Sequence, residues 1–252
     1  SKAQAKLATF GKAASKVGKG MTMKVTAPLA LIGGASMKMA MDFEHSMAQI
    51  QSLVGLSAET VKAFEADVMR LSGETARAPK ELADAMFFIT SAGLRGAVAV
   101  EALEASAKAA AVGMGDTVAV ADAVTNAING YGAANISATL ATDILAKTVE
   151  QGKASAADLA PTFGRLIPMA AELGIGFDQV GAGVAFLTRA SGDARMSATQ
   201  FAATMKSILK PSQSARRVLN EIGFSLTDLR AAASTDLLTA LQTLRERLEA
   251  NG

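Results

Sequence analysis

The residues able to carry acid–base, metal or phosphate chemistry are few, and their spacing argues against a reaction centre. His45 is the single histidine and cysteine is absent. Neither a paired-His nor a thiolate zinc site can be assembled, and any Ser-His catalytic arrangement depends on this one ring. A histidine on the outer face of a helix is the simpler account. Glu101 with Glu104 and Asp116 with Asp122 are the right types for general acid–base work, but they fall on amphipathic helical stretches without a convergent partner, so solvated faces are expected. No Walker-type loop is present, and Gly174-Ile175-Gly176 with Gly181 and Gly183 lacks both dinucleotide spacing and a preceding strand. These glycines read as helix ends and close helix contacts. Asn135-Ile136-Ser137 fits a glycosylation triplet, but nothing marks the chain as secreted, and a loop cap is expected there. The sequence therefore predicts no catalytic, cofactor-binding or metal-ligating residue, and a hydrolase ranks last among the functions considered.

One cluster points to a partner. Lys2, Lys6, Lys12, Lys16, Lys19 and Lys24 lie in residues 1–24 without an acid, whereas the rest of the chain carries 23 acids against 19 bases. Between them Leu7, Phe10, Ala14 and Val17 recur at three- and four-residue steps, placing an apolar stripe on one helix face with ammonium groups around it. Such an arm suits DNA phosphates, anionic lipid or an acidic protein surface, each attraction weakened by salt; a solvated lead-in is the alternative. The arm holds no Arg and aromatics are 4% of the chain, so contact with DNA is expected to be nonspecific.

The elements that would position these residues are helices. Half of the 252 residues are hydrophobic, but Ala and Met supply much of that share and Trp is absent. Alanine favours helix and brings little bulk, so the core is expected to gain from many close contacts of small individual value. Absence of Cys suits a product folded in a reducing cytoplasm or one indifferent to redox state. The most apolar stretch, Val25 to Met41, is broken by Pro28, Gly33-Gly34 and Lys38, which argues against a spanning helix. Met21, Met23, Met37, Met39, Met41 and Met47 crowd this region, and flexible thioethers suit either an adaptable interface or core filling. A chain that begins at Ser1 rather than Met is expected to be a segment of a longer parent.

Punctuation places the helices. Thr26 and Pro28 start one that runs through Met37, Met41, Met47 and Ile50; Ser57 caps a second through Val61, Phe64, Val68, Met69 and Leu71, closed by Gly73. Ala78-Pro79 opens a third ending at Gly93, Glu101 to Val112 forms a fourth ending at Gly113, and Asp116 caps a fifth over Val118 to Ile128. No stretch alternates like a strand, so the expected fold is all-α: a multi-helix array of Ala-rich amphipathic helices.

Segments after Gly152 echo those after Gly73. Leu82-Ala83 matches Leu159-Ala160, Ile89 matches Ile167, Gly93-Leu94 matches Gly174-Ile175, and Gly113 with Asp116 matches Gly192-Asp193, giving a pseudo-repeat of about 80 residues. A shorter echo lies at Ile222-Gly223-Phe224-Ser225. The expected organisation is a basic arm over 1–24, a long helical lead-in over 25–72, a duplicated helical core over 73–212 and a C-terminal helical segment over 213–252.

Ala78-Pro79-Lys80-Glu81-Leu82-Ala83-Asp84-Ala85-Met86 leading to Ser91-Ala92-Gly93-Leu94, then Ala127-Ile128-Asn129-Gly130-Tyr131-Gly132, Leu159 to Pro168, Lys210-Pro211-Ser212 and Glu221-Ile222-Gly223 occur in this order. Together with Val25-Thr26-Ala27-Pro28-Leu29 and Asp42-Phe43-Glu44, this run resembles the helical core of bacteriophage tail tape measure proteins. The resemblance implies a non-enzymatic scaffold, without cofactors, that fills the tail lumen of a virion, helps set tail length and leaves ahead of the DNA. It implies production in the host bacterial cytoplasm and contact with tail tube protein, distal tail protein, tail assembly chaperones and copies of itself. The alternative is a membrane-active segment aiding genome passage. Family members are usually much longer: as one continuous helix, 252 residues reach at most roughly 380 Å, which suits an anchoring or initiating piece.

Overall fold

Helix formers dominate the chain, and short-range capping sets where each helix stops. A computed structural model describes residues 27–251, with side chains over 38–250, and among the described residues there are twelve α-helices and no strand. They are α1 Ala27–Leu53, α2 Ala58–Thr75, α3 Pro79–Ser91, α4 Gly96–Ala109, α5 Thr117–Tyr131, α6 Ala138–Gln151, α7 Ala156–Leu173, α8 Phe177–Ser191, α9 Ala194–Leu209, α10 Gln213–Glu221, α11 Leu226–Thr235 and α12 Leu237–Asn251. The all-α expectation holds.

Most starts carry a side-chain cap that satisfies an otherwise orphaned backbone N–H. Ser57, Asp116, Ser137, Asp193 and Ser212 accept from the first turns of α2, α5, α6, α9 and α10. Ser155 with Asp158 and Ser225 with Asp228 form reciprocal capping boxes at α7 and α11. Three ends share one geometry. Gly93, Gly174 and Gly223 take positive φ, and the next residue, Leu94, Ile175 or Phe224, donates its N–H to the carbonyl five residues back, of Ile89, Ala170 or Leu219. This is the Schellman arrangement, and the apolar residue after each glycine is buried.

The largest interface joins α5 to α7. Val120, Val124 and Ile128 of α5 and Leu159, Phe163 and Ile167 of α7 are buried. Around this pair α3 packs on α1 and α5, α4 on α5 and α6, and α9 on α7 and α8, while α12 packs chiefly on α11. α7 continues through Pro161 and Pro168. Each proline removes an intrahelical donor, and the buried face, rather than local preference, holds the helix together.

Three details differ from the sequence expectation. Gly73 lies inside α2, which closes at Ala76 in the left-handed region; with no positive φ demanded of it, glycine here is an ordinary helical residue. The fourth helix begins at Gly96, earlier than Glu101, and passes into a π turn over Ala110–Met114 in which Gly113 has φ 96°. Met41 and Met69, placed on apolar stripes by their spacing, are 63% and 54% exposed.

Candidate functional site

Several long polar side chains among the described residues are directed at helix ends. The last carbonyls of an α-helix lack intrahelical donors and carry partial negative charge, and here donors arrive from other helices or from sequence beyond the end. Tyr131, the single tyrosine, donates from its hydroxyl to the Ile175 carbonyl at 2.9 Å, and Asn129 Nδ2 donates to the Ala92 carbonyl at 2.9 Å. The end of α5 thus holds the ends of both α3 and α7. Arg95 donates to the Leu94 carbonyl at 2.8 Å and also to that of Thr90. Arg230 reaches the carbonyls of Ile208 and Leu209 at the end of α9, at 3.4 and 2.5 Å. Arg247 binds those of Ile222 and Gly223 at 3.3 and 3.0 Å and lies 4.9 Å from the Phe224 ring centroid. Gln179 uses both ends of its amide, donating to the Thr235 carbonyl at 3.2 Å and accepting from Leu237 N at 2.9 Å.

The junction of α4 and α5 is held in the same way. Arg77 donates to the Ala110 carbonyl at the start of the π turn and pairs with Glu81 at 3.5 Å. Glu81 in turn accepts from the hydroxyl of Thr117 and from its N–H, the latter at 3.2 Å. One ion pair at the start of α3 therefore holds both sides of the π turn.

Glycines let the helix backbones approach. A Cβ at Gly130 would lie 2.1 Å from Ile167 Cγ2, one at Gly183 would meet the Phe201 ring at 2.8 Å, and one at Gly181 would lie 2.5 Å from Thr148 Oγ1. The Phe163 and Phe177 rings meet edge to face with centroids 5.0 Å apart, and the ring of Tyr131, the residue after Gly130, lies 6.1 Å from that of Phe177. Burial, followed by the nearby Asp178, raises the Tyr131 hydroxyl above its ordinary pKa, so it stays a donor.

The candidate residues from the sequence separate. Lys2, Lys6, Lys12, Lys16, Lys19 and Lys24 lie outside the described residues. His45 is exposed on α1 with its ring nitrogen 3.1 Å from Gln49 Nε2. Glu104 pairs with Lys108 at 2.5 Å and Arg70 at 3.6 Å; the Lys108 hydrogen bond, outweighing desolvation, lowers its pKa. Asp116 is the α5 cap. Asp122 departs from the solvated expectation: it is half-buried, desolvation raises its pKa, and Asn126 Nδ2 donates to it at 2.8 Å. Ser137 caps α6, as expected of the Asn135-Ile136-Ser137 loop. Gly174 and Gly192 end helices at positive φ, while Gly181 and Gly183 are the close contacts described above. Among the described residues no group of three or more His, Asp or Glu is placed to hold a metal ion.

The arginine and glutamine staples were not found from sequence. Only Arg77 with Glu81, at a helical i,i+4 spacing, and the single tyrosine inside Asn129-Gly130-Tyr131-Gly132 carried a signal. The others act on carbonyls brought near by folding.

Three surface grooves are open to a partner. One of about 780 Å³ lies between α1, α2 and the start of α3, lined by Met39, Phe43 and Met69 with Asp42, Lys62, Glu65 and Lys80 about it. A second, of about 620 Å³, lies between α4 with its π turn and the first half of α6. A third, of about 560 Å³, is lined by Ile208, Val218, Leu219, Leu241, Leu244 and Leu248. Among the described residues no helix is long and apolar enough to cross a membrane.

The family model described as phage-related minor tail protein matches residues 65–252. Over 219 residues the chain is 26% identical to the tape measure protein of Pneumococcus phage Dp-1, a match covering 87% of this chain and 19% of that protein. The chain thus spans about a fifth of the length of the curated relative it matches. No solved structure matches it.

Proposed function

As this chain belongs to the phage-related minor tail protein family, we propose that it is a region of a tail tape measure protein acting as a non-enzymatic scaffold in tail tube assembly. Membership makes it a phage tail protein with a structural role, associated with the virion and with other tail proteins. The observation that carries the finer reading is the likeness to the Pneumococcus phage Dp-1 tape measure protein along 87% of the chain. The inward use of Tyr131, Asn129, Gln179, Arg230 and Arg247, which fasten helix ends together, supports a structural reading.

A part in setting tail length, residence in the tail lumen, synthesis in the host cytoplasm, exit ahead of the DNA, and contact with tail tube protein, distal tail protein, chaperones and further copies belong to the same proposal. Among the described residues the longest helix, α1, has 27 residues, about 40 Å, and the helices that follow fold back on one another. A region packed in this way adds little to the length of a rod and serves better as an anchoring or initiating body. The organisation into residues 1–24, 25–72, 73–212 and 213–252, with the third duplicated, is proposed with it; the like helix ends at Gly93 and Gly174 support the duplication.

The test is in-frame removal of residues 65–252 from the gene of the phage or prophage that encodes the chain, followed by electron microscopy of the particles. Absent or misassembled tails with normal heads are expected. Particles with tails of unchanged length and number would overturn the proposal.

A further inference from the structure

The three grooves differ in charge. The third is lined by no ionisable residue, and the first balances Asp42 and Glu65 with Lys62 and Lys80. The second alone carries a surplus: Glu101, Glu104 and Asp143 against Lys108. Glu104 is engaged by Lys108 and Arg70, while Glu101 and Asp143 are exposed and, among the described residues, form no salt bridge. Between these carboxylates the floor is apolar, made by Ala105, Ala109, Met114 and Ala146. At the mouth stands Val112, 81% exposed on the π turn, the most exposed large hydrophobic side chain among the described residues. The π turn itself is fixed by Arg77 and Glu81, so this apolar tip is held out rather than left loose.

An apolar floor with an acidic rim suits a basic amphipathic helix, and the chain carries one in its sequence. Residues 1–24 hold six lysines and no acid, with Leu7, Phe10, Ala14 and Val17 on one helical face. We propose that this lysine arm docks in the groove between α4 and α6, its apolar stripe on Ala105, Ala109 and Val112 and its ammonium groups toward Glu101 and Asp143. The proposal rests on the chain's own charges and grooves, independently of the tail scaffold reading. It takes the acidic protein surface, rather than DNA or lipid, as the partner of the arm, because this groove offers both carboxylates unpaired among the described residues and an apolar floor to match the arm's lysines and apolar stripe.

The absence of cysteine makes the test direct in the full chain. Ser15→Cys paired with Val112→Cys is treated with a short bismaleimide, and Ser15→Cys paired with Phe186→Cys, 62% exposed on α8 and outside the three grooves, is the control. The first pair is expected to cross-link several-fold more than the control, and the mass of the product tells whether the arm comes from the same copy or a neighbouring one. Adding Glu101→Lys with Asp143→Lys is expected to lower the yield about tenfold, as loss of two solvent-exposed attractions and gain of two repulsions dictate. Glu101→Gln with Asp143→Asn gives a milder loss, about threefold, and guards against misfolding, with helicity by circular dichroism as the check. A yield equal to the control, or indifferent to both charge changes in a folded chain, overturns the proposal. Protection of the arm from trypsin by duplex DNA or anionic vesicles, with cross-linking at background, overturns it in favour of a phosphate-bearing partner.

Discussion

Replacing Gly130 by alanine is expected to destabilise the fold, although the same exchange in an open helix stabilises it. The added Cβ would lie 2.1 Å from Ile167 Cγ2, well inside the distance at which carbon atoms repel. Ile167 is buried, 1% exposed, and its Cγ2 is the methyl on the β-branch. It can be moved only by turning χ1 out of the well that β-branched residues strongly prefer in helices, or by parting α5 from α7. Overpacking of a closed core costs about 1–3 kcal/mol, and the upper part of that range is expected where the blocking atom cannot swing away. Against it stands the helix preference of Ala over Gly, at most about 1 kcal/mol and less in a last turn. The net loss is about 1–2 kcal/mol, read as a fall in Tm of about 3–6 °C for a chain of this size. Urea and thermal unfolding followed by far-ultraviolet circular dichroism measure it, with Gly73→Ala as reference. Nothing lies within 4 Å of a Cβ at Gly73, and its replacement is expected to stabilise by about 0.5–1 kcal/mol. Ile167→Leu shifts the branch one carbon outward and should recover more than half of the Gly130→Ala loss. A Gly130→Ala protein as stable as Gly73→Ala, or additive behaviour of Gly130→Ala with Ile167→Leu, would refute the close-approach argument.

Tyr131→Phe removes the donor to the Ile175 carbonyl and should cost about 1 kcal/mol in urea unfolding, without change in helix content. Ser155→Ala dissolves a capping box and should cost about 1 kcal/mol at neutral pH. Hydrogen bonds from Ser155 hold the Asp158 pKa below its ordinary value, so this contribution is present above the unfolded carboxylate pKa and is lost as pH falls through the depressed one. The Ser155→Ala protein should accordingly lose less stability than the parent between neutral and strongly acidic pH. Asp122 has the opposite sign: desolvation raises its pKa, so its contribution favours the fold in acid and is lost as pH rises through the raised value. Asp122→Asn is expected to raise Tm at neutral pH, with the gain vanishing below the unfolded carboxylate pKa.

The helical class and several helix starts and ends were legible in the sequence because they depend on contacts within five residues, whereas only five of the twelve helices among the described residues were placed from it. Ser57, Asp116, Ser137 and Ser155 cap their own first turns, and Gly93, Gly174 and Gly223 close helices through bonds to residues just behind them. Where local signals misled, packing decided. Gly73 lies inside α2, and Met41 and Met69 stay exposed although their spacing puts them on apolar stripes. The candidate site was legible only in outline. Composition gave a core rich in alanine, while the amphipathic arm expected from the periodicity of residues 1–24 lies outside the described residues. That Gly130 receives Ile167, that Arg77 and Glu81 fix the turn between α4 and α5, and that Glu101 and Asp143 rim one groove depend on tertiary structure. Each joins residues separated by more than thirty positions, and such meetings follow from how helices cross rather than from the propensities that form them.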